Sequence, residues 1–298
     1  MAILLPRISS KPENQDPRIL VLISNTKVGK TSHTLKLPNS LNVDLEDGSG
    51  YYEGVSINLK RESIATGKGL GSLLLETAQT IREANQAEGK PIYDYISLDT
   101  MTVIENIAKV KATLDYKSTL QGKNFTGKDV CKELPKGAGY AFLTAAFNDL
   151  IDPWKGLAGK CLILLGHAKL STIDKGATEV QVNDLELTGK NKIGIMANAD
   201  SIGYLRRNKK DVNQNILTFK TSESDLVCGS RSPHLRNKEF IFSTYKPETN
   251  VLTVNWDLVF TSLRTKSTPQ MVEIIDEPTI DNEEHITPET NNSNKIPV

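Results

Sequence analysis

The chain has only three cysteines, Cys131, Cys161 and Cys228, which stand far apart with no CxxC or Cys/His spacing. That excludes a disulfide framework and a zinc ligand set, leaving buried or incidental thiols. Aromatic residues are scarce at 6 %, and no apolar run approaches the roughly 20 residues needed to span a bilayer. The apolar start, Met1 to Pro6, is too short for a secretory core of about 7–15 residues, so a cytoplasmic location with no membrane partner is expected. An excess of charge of one sign is also missing, since 36 basic residues balance 36 acidic ones. The balance is uneven along the chain. Met271 to Val298 holds seven acidic residues and one lysine, so the remainder carries six excess positive charges. A basic body with an acidic end fits either polyanion binding or a solvated surface followed by a disordered tail.

The composition divides the chain into a flexible lead over residues 1–17, one main domain over 18–267 and an acidic, disordered tail over 268–298. Inside the domain, Arg18–Ser24, Ser40–Leu45, Ile92–Asp99 and Lys160–His167 are short Leu- and β-branched-rich runs that read as strands. Helical patterns follow Gly29, cover Gly71–Ala87, follow Thr100 and cover Ala138–Leu157. Strands apolar on both faces and separated by helices imply an α/β fold, a mainly parallel sheet flanked by helices and covered on both sides. Ligands of such sheets sit at the carboxyl ends of the strands. Leu170–Gly194 is poor in large apolar residues and reads as a long functional or mobile loop. Beyond it, Ile195–Leu205, Ile216–Val227 and Glu239–Tyr245 read as added antiparallel strands.

Directly after the first strand comes Ser24-Asn25-Thr26-Lys27-Val28-Gly29-Lys30-Thr31-Ser32, the P-loop pattern GxxxxGK[ST] with Ser in place of the first Gly. Successive backbone amides of such a loop surround a β-phosphate, and Gly29 permits close approach. Lys30 reaches the β- and γ-phosphates and the Thr31 hydroxyl ligates Mg²⁺, so ATP and Mg²⁺ are the expected cofactors. The serine at position 24 is a departure, because that position often adopts a conformation that a Cβ disfavours. Asp99, at the end of the apolar run Tyr95–Leu98, supplies the second metal-holding acid that a P-loop needs. The second strand ends Asp44-Leu45-Glu46-Asp47-Gly48, where an acid fits either the activation of water or an exposed turn.

Together these residues resemble the RecA-type AAA ATPase core, and among its members the phage-encoded RecA-like ATP-binding proteins of single-strand DNA annealing and recombination. The resemblance runs from about Arg18 to Phe260. It implies that Glu46, in the D-x-E pattern Asp44-Leu45-Glu46, activates water. It also implies that His167 stands where a polar sensor reports the γ-phosphate to a following DNA-binding loop, with Lys175, Lys190 and Lys192 as phosphate contacts. Gly229-Ser-Arg231-Ser-Pro-His-Leu235 resembles a GxRSPxL segment of the phage group, in which Arg231 is either an arginine finger towards a neighbouring subunit or a structural arginine. Tyr51 and Tyr52 fit either stacking on adenine or a packing face.

The function implied is an ATP-hydrolysing, DNA-binding protein of phage recombination or replication. It would assemble as a homo-oligomeric ring or filament on single-stranded DNA, with a single-strand-binding protein as a further partner. A nucleotide-gated protein-binding module and a helicase-type motor are the alternatives.

Overall fold

The computed structural model describes residues 14–174, 179–220 and 228–265. The expectations for residues 1–13 and for the acidic tail over 268–298 lie outside the described residues. The first strand, β1 (Ile19–Ser24), leads through the P-loop segment into a short helix, α1 (Lys30–Thr34), and then β2 (Ser40–Asp44). A short strand β3 (Ser56–Asn58) is followed by α2 (Leu59–Thr66) and α3 (Leu70–Glu88). Next come β4 (Tyr95–Asp99), α4 (Met101–Lys117), α5 (Val130–Glu133) and α6 (Gly139–Ile151). The chain continues through β5 (Cys161–Asp174), β6 (Glu179–Leu185), α7 (Gly189–Asn198) and β7 (Ser201–Arg207). It ends in β8 (Gln214–Thr218), β9 (Gly229–Ser230), β10 (Glu239–Lys246) and β11 (Val251–Val254).

The strands form one sheet in the order β11-β10-β8-β7-β1-β5-β4-β2-β3, with β6 paired to β5 and β9 to β7. The six strands from β7 to β3 run parallel, whereas β8, β10 and β11 add an antiparallel extension beside β7. This is the expected α/β arrangement, a mainly parallel sheet with added antiparallel strands. Among the described residues no helix is long and apolar enough to cross a membrane.

Alternation along β1 explains why the strand is apolar throughout. Val21 and Ile23 face one core, and Leu20 and Leu22 face the other. The first core is closed by helices, with Leu73, Leu74, Ala78 and Ile81 of α3 at helical spacing, Met101, Ile104 and Ala108 of α4, and Phe147 of α6. The second is closed by aromatics rather than by crossover helices. Phe240 and Phe242 of β10 pack there with Trp256, Val259 and Phe260, which follow β11. α2 to α7 contribute to the first core, and the aromatic C-terminal segment, with His33 of α1 stacked on Phe242, covers the other.

Three expectations change. Leu170–Gly194 is not a loop: β5 runs on to Asp174 and pairs antiparallel with β6, in register Leu170↔Asn183 and Ser171↔Val182, and α7 begins at Gly189. A hairpin whose strands satisfy each other's backbone groups needs few large apolar residues, which is why the segment reads as loop. Ile195–Leu205 is not one strand, because α7 continues to Asn198 and β7 begins at Ser201. The start of α7 is held from outside by Glu105 of α4. The Glu105 carboxylate accepts from Thr188 N (2.8 Å), Thr188 Oγ1 (3.0 Å) and Asn191 Nδ2 (2.9 Å), a clasp that local pattern does not disclose. Of Ile216–Val227, β8 takes the part up to Thr218, and residues 221–227 lie outside the described residues. None of the three cysteines forms a disulfide, and Cys161 and Cys228 are buried.

Candidate functional site

The carboxyl ends of β1, β4 and β2 carry Ser24, Asp99 and Asp44 and lie beside the point where β5 passes its parallel neighbours, at His167, in registers Ser24↔His167, Asp99↔Leu165 and Asp44↔Asp99. Strand pairing therefore assembles residues that are spread over more than 140 positions of sequence.

The first-glycine position of the loop needs no glycine. Ser24 is still in the β1 ladder, and the left-handed residues are Lys27 (φ 61°) and Gly29 (φ 111°). Position 29 is bound to glycine twice over, since a Cβ there would also lie 2.8 Å from His33 Cε1. Ser24 instead helps to seat the lysine: Lys30 Nζ donates to Ser24 Oγ at 3.0 Å, to Ser24 O at 3.3 Å and to Asn25 O at 3.4 Å. Burial pulls the Lys30 ammonium below the usual lysine range, opposed by the nearby Asp99 and Glu46 carboxylates.

Thr31 Oγ1 donates to Asp99 Oδ2 at 2.5 Å. Asp99 is 3 % exposed, and burial, reinforced by Glu46 and Asp44, pushes its carboxyl up to about 6, while the Thr31 hydrogen bond and Lys30 oppose the shift. A hydroxyl beside a buried carboxylate of this kind is a hard-oxygen donor pair, which fits Mg²⁺. Among the described residues there is no group of three or more His, Cys, Asp or Glu that would hold a metal by itself. Any ion here would thus depend on other ligands, such as phosphate oxygens and water.

Glu46 Oε1 accepts from Thr100 Oγ1 at 2.7 Å and lies 3.1 Å from His167 Nε2. His167 Nδ1 faces Lys30 Nζ at 3.3 Å. An ammonium only donates, so Nδ1 accepts and the proton sits on Nε2, pointing at Glu46. The hydrogen bond from His167 is the largest influence holding the Glu46 carboxyl below its ordinary value, with Thr100 and Lys30 adding to it against burial. Asp44, fully buried, accepts from the backbone N–H of Glu46 (2.8 Å), Asp47 (2.9 Å) and Ser49 (2.7 Å). It folds the turn that presents Glu46.

An open cleft of about 700 Å³ adjoins the outer side of the loop and is lined by Lys27, Val28, Gly29, Ser32, Tyr51, Tyr52, Arg207, Asn215 and Tyr245. Its volume is in the range of small-molecule sites. Tyr51 is 85 % exposed and Tyr52 50 %, so neither closes a packing face.

Other expected residues are elsewhere. Arg231 hydrogen-bonds Ala197 O at 2.8 Å and lies 3.6 Å from Asp200. Asp200 in turn accepts from the amides of Arg18 and Ile19, which places Arg231 at the opposite end of β1 from Ser24. Lys190 is exposed at the start of α7, Lys192 is paired with Asp184, and Lys175 lies outside the described residues. Sequence reasoning gave no role to Thr100, Asp44, His33, Arg207 or Asn215. Thr100 had a signal, its adjacency to Asp99; Asn215 had none, since it reaches Val28 O across 187 positions.

No curated protein matches the chain. A solved structure titled "Crystal structure of the RadB recombinase" is similar at 11 % identity and a TM-score of 0.34, over 78 % of this chain and 89 % of that one, a likeness too slight to carry an argument. Residues 16–230, more than two thirds of the chain, match the family described as AAA domain. With the phosphate-loop geometry in place, the chain belongs to that AAA domain family, whose fold implies nucleotide binding.

Proposed function

We propose that the chain is a Mg²⁺-dependent ATPase that couples nucleotide turnover to a grip on single-stranded DNA, in recombination or annealing of the phage type, acting as a homo-oligomer. The observation that carries the reading is the hydrogen-bonded chain Ser24–Lys30–His167–Glu46–Thr100, next to Thr31–Asp99, at the carboxyl ends of β1, β2 and β4 beside β5. Lys30 supplies the cation for the β- and γ-phosphates. Thr31 and Asp99 would hold Mg²⁺, which when bound neutralises charge on the phosphate oxygens. Glu46, held ionised by its two donors, orients a water and accepts its proton. His167 keeps Glu46 and Lys30 in mutual register from β5, the strand that continues into the β5–β6 hairpin.

The DNA reading draws on that continuity and on the exposed Lys190 beside the hairpin. Lys175 belongs to the same proposed contact set. Lys192 joins it only by leaving Asp184. Arg231 acts, if on a γ-phosphate, on that of a neighbouring subunit, and would have to leave Asp200 to do so. A single-strand-binding protein is the further partner proposed.

The test is ATP hydrolysis with and without single-stranded DNA for the parent, Lys30→Ala and Glu46→Gln. Loss of ATP binding in the first variant is expected. In the second, turnover falls by about 10²–10⁴ while binding persists. Equal ATP affinity in Lys30→Ala rejects the nucleotide site. Turnover indifferent to DNA, with no salt-sensitive DNA binding, rejects the DNA part alone. Unchanged turnover in Glu46→Gln with nucleotide-dependent assembly would favour a nucleotide-gated binding module instead.

A further inference from the structure

A phosphate-binding loop works when several consecutive amides point inward together, an arrangement the backbone does not adopt without help. In this chain three consecutive carbonyls each accept a side-chain hydrogen bond. Lys27 O accepts from Arg207 Nη2 at 3.2 Å, and Val28 O accepts from Asn215 Nδ2 at 3.2 Å. Gly29 O accepts from His33 N at 3.0 Å, from Ser32 Oγ at 2.9 Å and from His33 Nδ1. Arg207 ends β7 and Asn215 lies on β8. The His33 ring is itself fixed by the extension: its Nε2 lies 2.7 Å from Ser243 Oγ of β10, and it stacks on Phe242 at 5.5 Å between centroids. Because a carbonyl oxygen only accepts, Nδ1 carries the ring proton and Nε2 accepts from Ser243.

The peptide units 27–28, 28–29 and 29–30 are trans, so each carbonyl points away from the amide that shares its plane. Drawing the carbonyls of Lys27, Val28 and Gly29 outward therefore turns the amides of Val28, Gly29 and Lys30 to the other side. Those three amides donate to nothing among the described residues. Unpaired backbone donors in successive peptides are costly unless a ligand or water takes them.

We propose that Arg207, Asn215 and His33 are positioning residues for triphosphate binding, which tie three successive carbonyls to β7 and to the antiparallel extension beside it and so preset the inward amides of Val28, Gly29 and Lys30. The proposal rests on the nucleotide reading of the site and assigns to the extension a part in it. Preset amides bind an anion without first ordering the loop, so the ties act on affinity more than on the chemical step.

The test titrates the full-length parent, Arg207→Met, Asn215→Leu, His33→Leu and His33→Asn with ATP and, separately, with inorganic triphosphate, alongside thermal melting and steady-state turnover. The asparagine variant retains a side-chain donor near the position of the ring Nδ1. Removing one tie is expected to weaken both ligands by a similar factor, about tenfold, and to raise KM more than it lowers kcat. His33→Asn is expected to recover most of the loss seen in His33→Leu. Loss of ATP affinity with triphosphate affinity intact overturns the proposal, because it assigns Asn215 and Arg207 to the cleft rather than to the loop. Parental affinity for triphosphate in the folded variants overturns it as well. Should His33→Leu not fold, the exposed Arg207 and half-buried Asn215 carry the same comparison. A parent that binds neither ligand removes the nucleotide reading itself, a result distinct from a parent that binds and variants that do not weaken.

Discussion

The parallel half of the sheet and its antiparallel extension meet at β7 but are built for different work. In the parallel half, β1, β2 and β4 are buried on both faces and end beside the stretch of β5 that carries His167, so the segments that follow them bring Lys30 and Glu46 up to Asp99 and His167. The extension spends its inward face on an aromatic stack, with Phe242 edge-on to Trp256 at 4.8 Å and Trp256 against Phe260 at 5.6 Å, and it reaches the loop through Asn215, which grips the Val28 carbonyl, while Arg207 at the end of β7 grips that of Lys27. The lesson is that reacting groups and the rigidity that aims them come from separate parts of one sheet. The part without reacting groups is still coupled to the site, through Trp256 Nε1 on His33 O at 2.8 Å.

The comparison breaks most visibly if the aromatic stack is removed. Phe242 is fully buried against both His33 and Trp256, so Phe242→Ala is expected to cost about 3–5 kcal/mol of stability, measurable by chemical denaturation. If the two halves form one cooperative unit, nucleotide protection against unfolding shrinks in the same variant. Separate transitions for the two halves, with nucleotide protection intact, would show the extension to be an independent module. A smaller effect is expected where the halves meet. Gly29→Ala forces a side chain into a left-handed position and against the His33 ring, a strain of about 1–3 kcal/mol. It should appear as weaker ATP binding with a small change in melting temperature.

The parallel half was legible because its evidence is local. Strand, loop and helix are contiguous from Ile19 to Thr34, and each strand-end acid follows its own apolar run. The departure at Ser24 looked like a weakness only because the motif does not state where the left-handed residues fall; they are Lys27 and Gly29. The hairpin after His167 was hidden by polarity, since β5 and β6 satisfy each other there without needing a large apolar face. Helix α7 was hidden by its dependence on Glu105, 84 residues before Gly189. Nothing in the sequence around Arg207 or Asn215 marks them as partners of Lys27 and Val28, because the pairing exists only once β7 lies beside β1 and β8 beside β7. Contacts made through strand order across such separations leave no periodicity to read.

The finest test of the division between aiming and reacting lies within the parallel half, at Thr100. Its hydroxyl donates to Glu46 Oε1 at 2.7 Å, so Thr100→Val keeps the shape and removes one donor from the proposed base. Glu46 is held below its ordinary value by His167 first and by Thr100 in addition, and losing the smaller contribution raises its pKa without restoring it fully. The base works ionised, so activity is lost as pH falls through the Glu46 pKa, and raising that pKa moves the acid limb of kcat/KM to higher pH. At neutral pH the loss should be modest, about tenfold or less, with ATP affinity close to the parent's. An acid limb that stays in place in Thr100→Val, while Glu46→Gln abolishes turnover, would mean that another group sets the limb. Thr100 would then only shape the turn between β4 and α4.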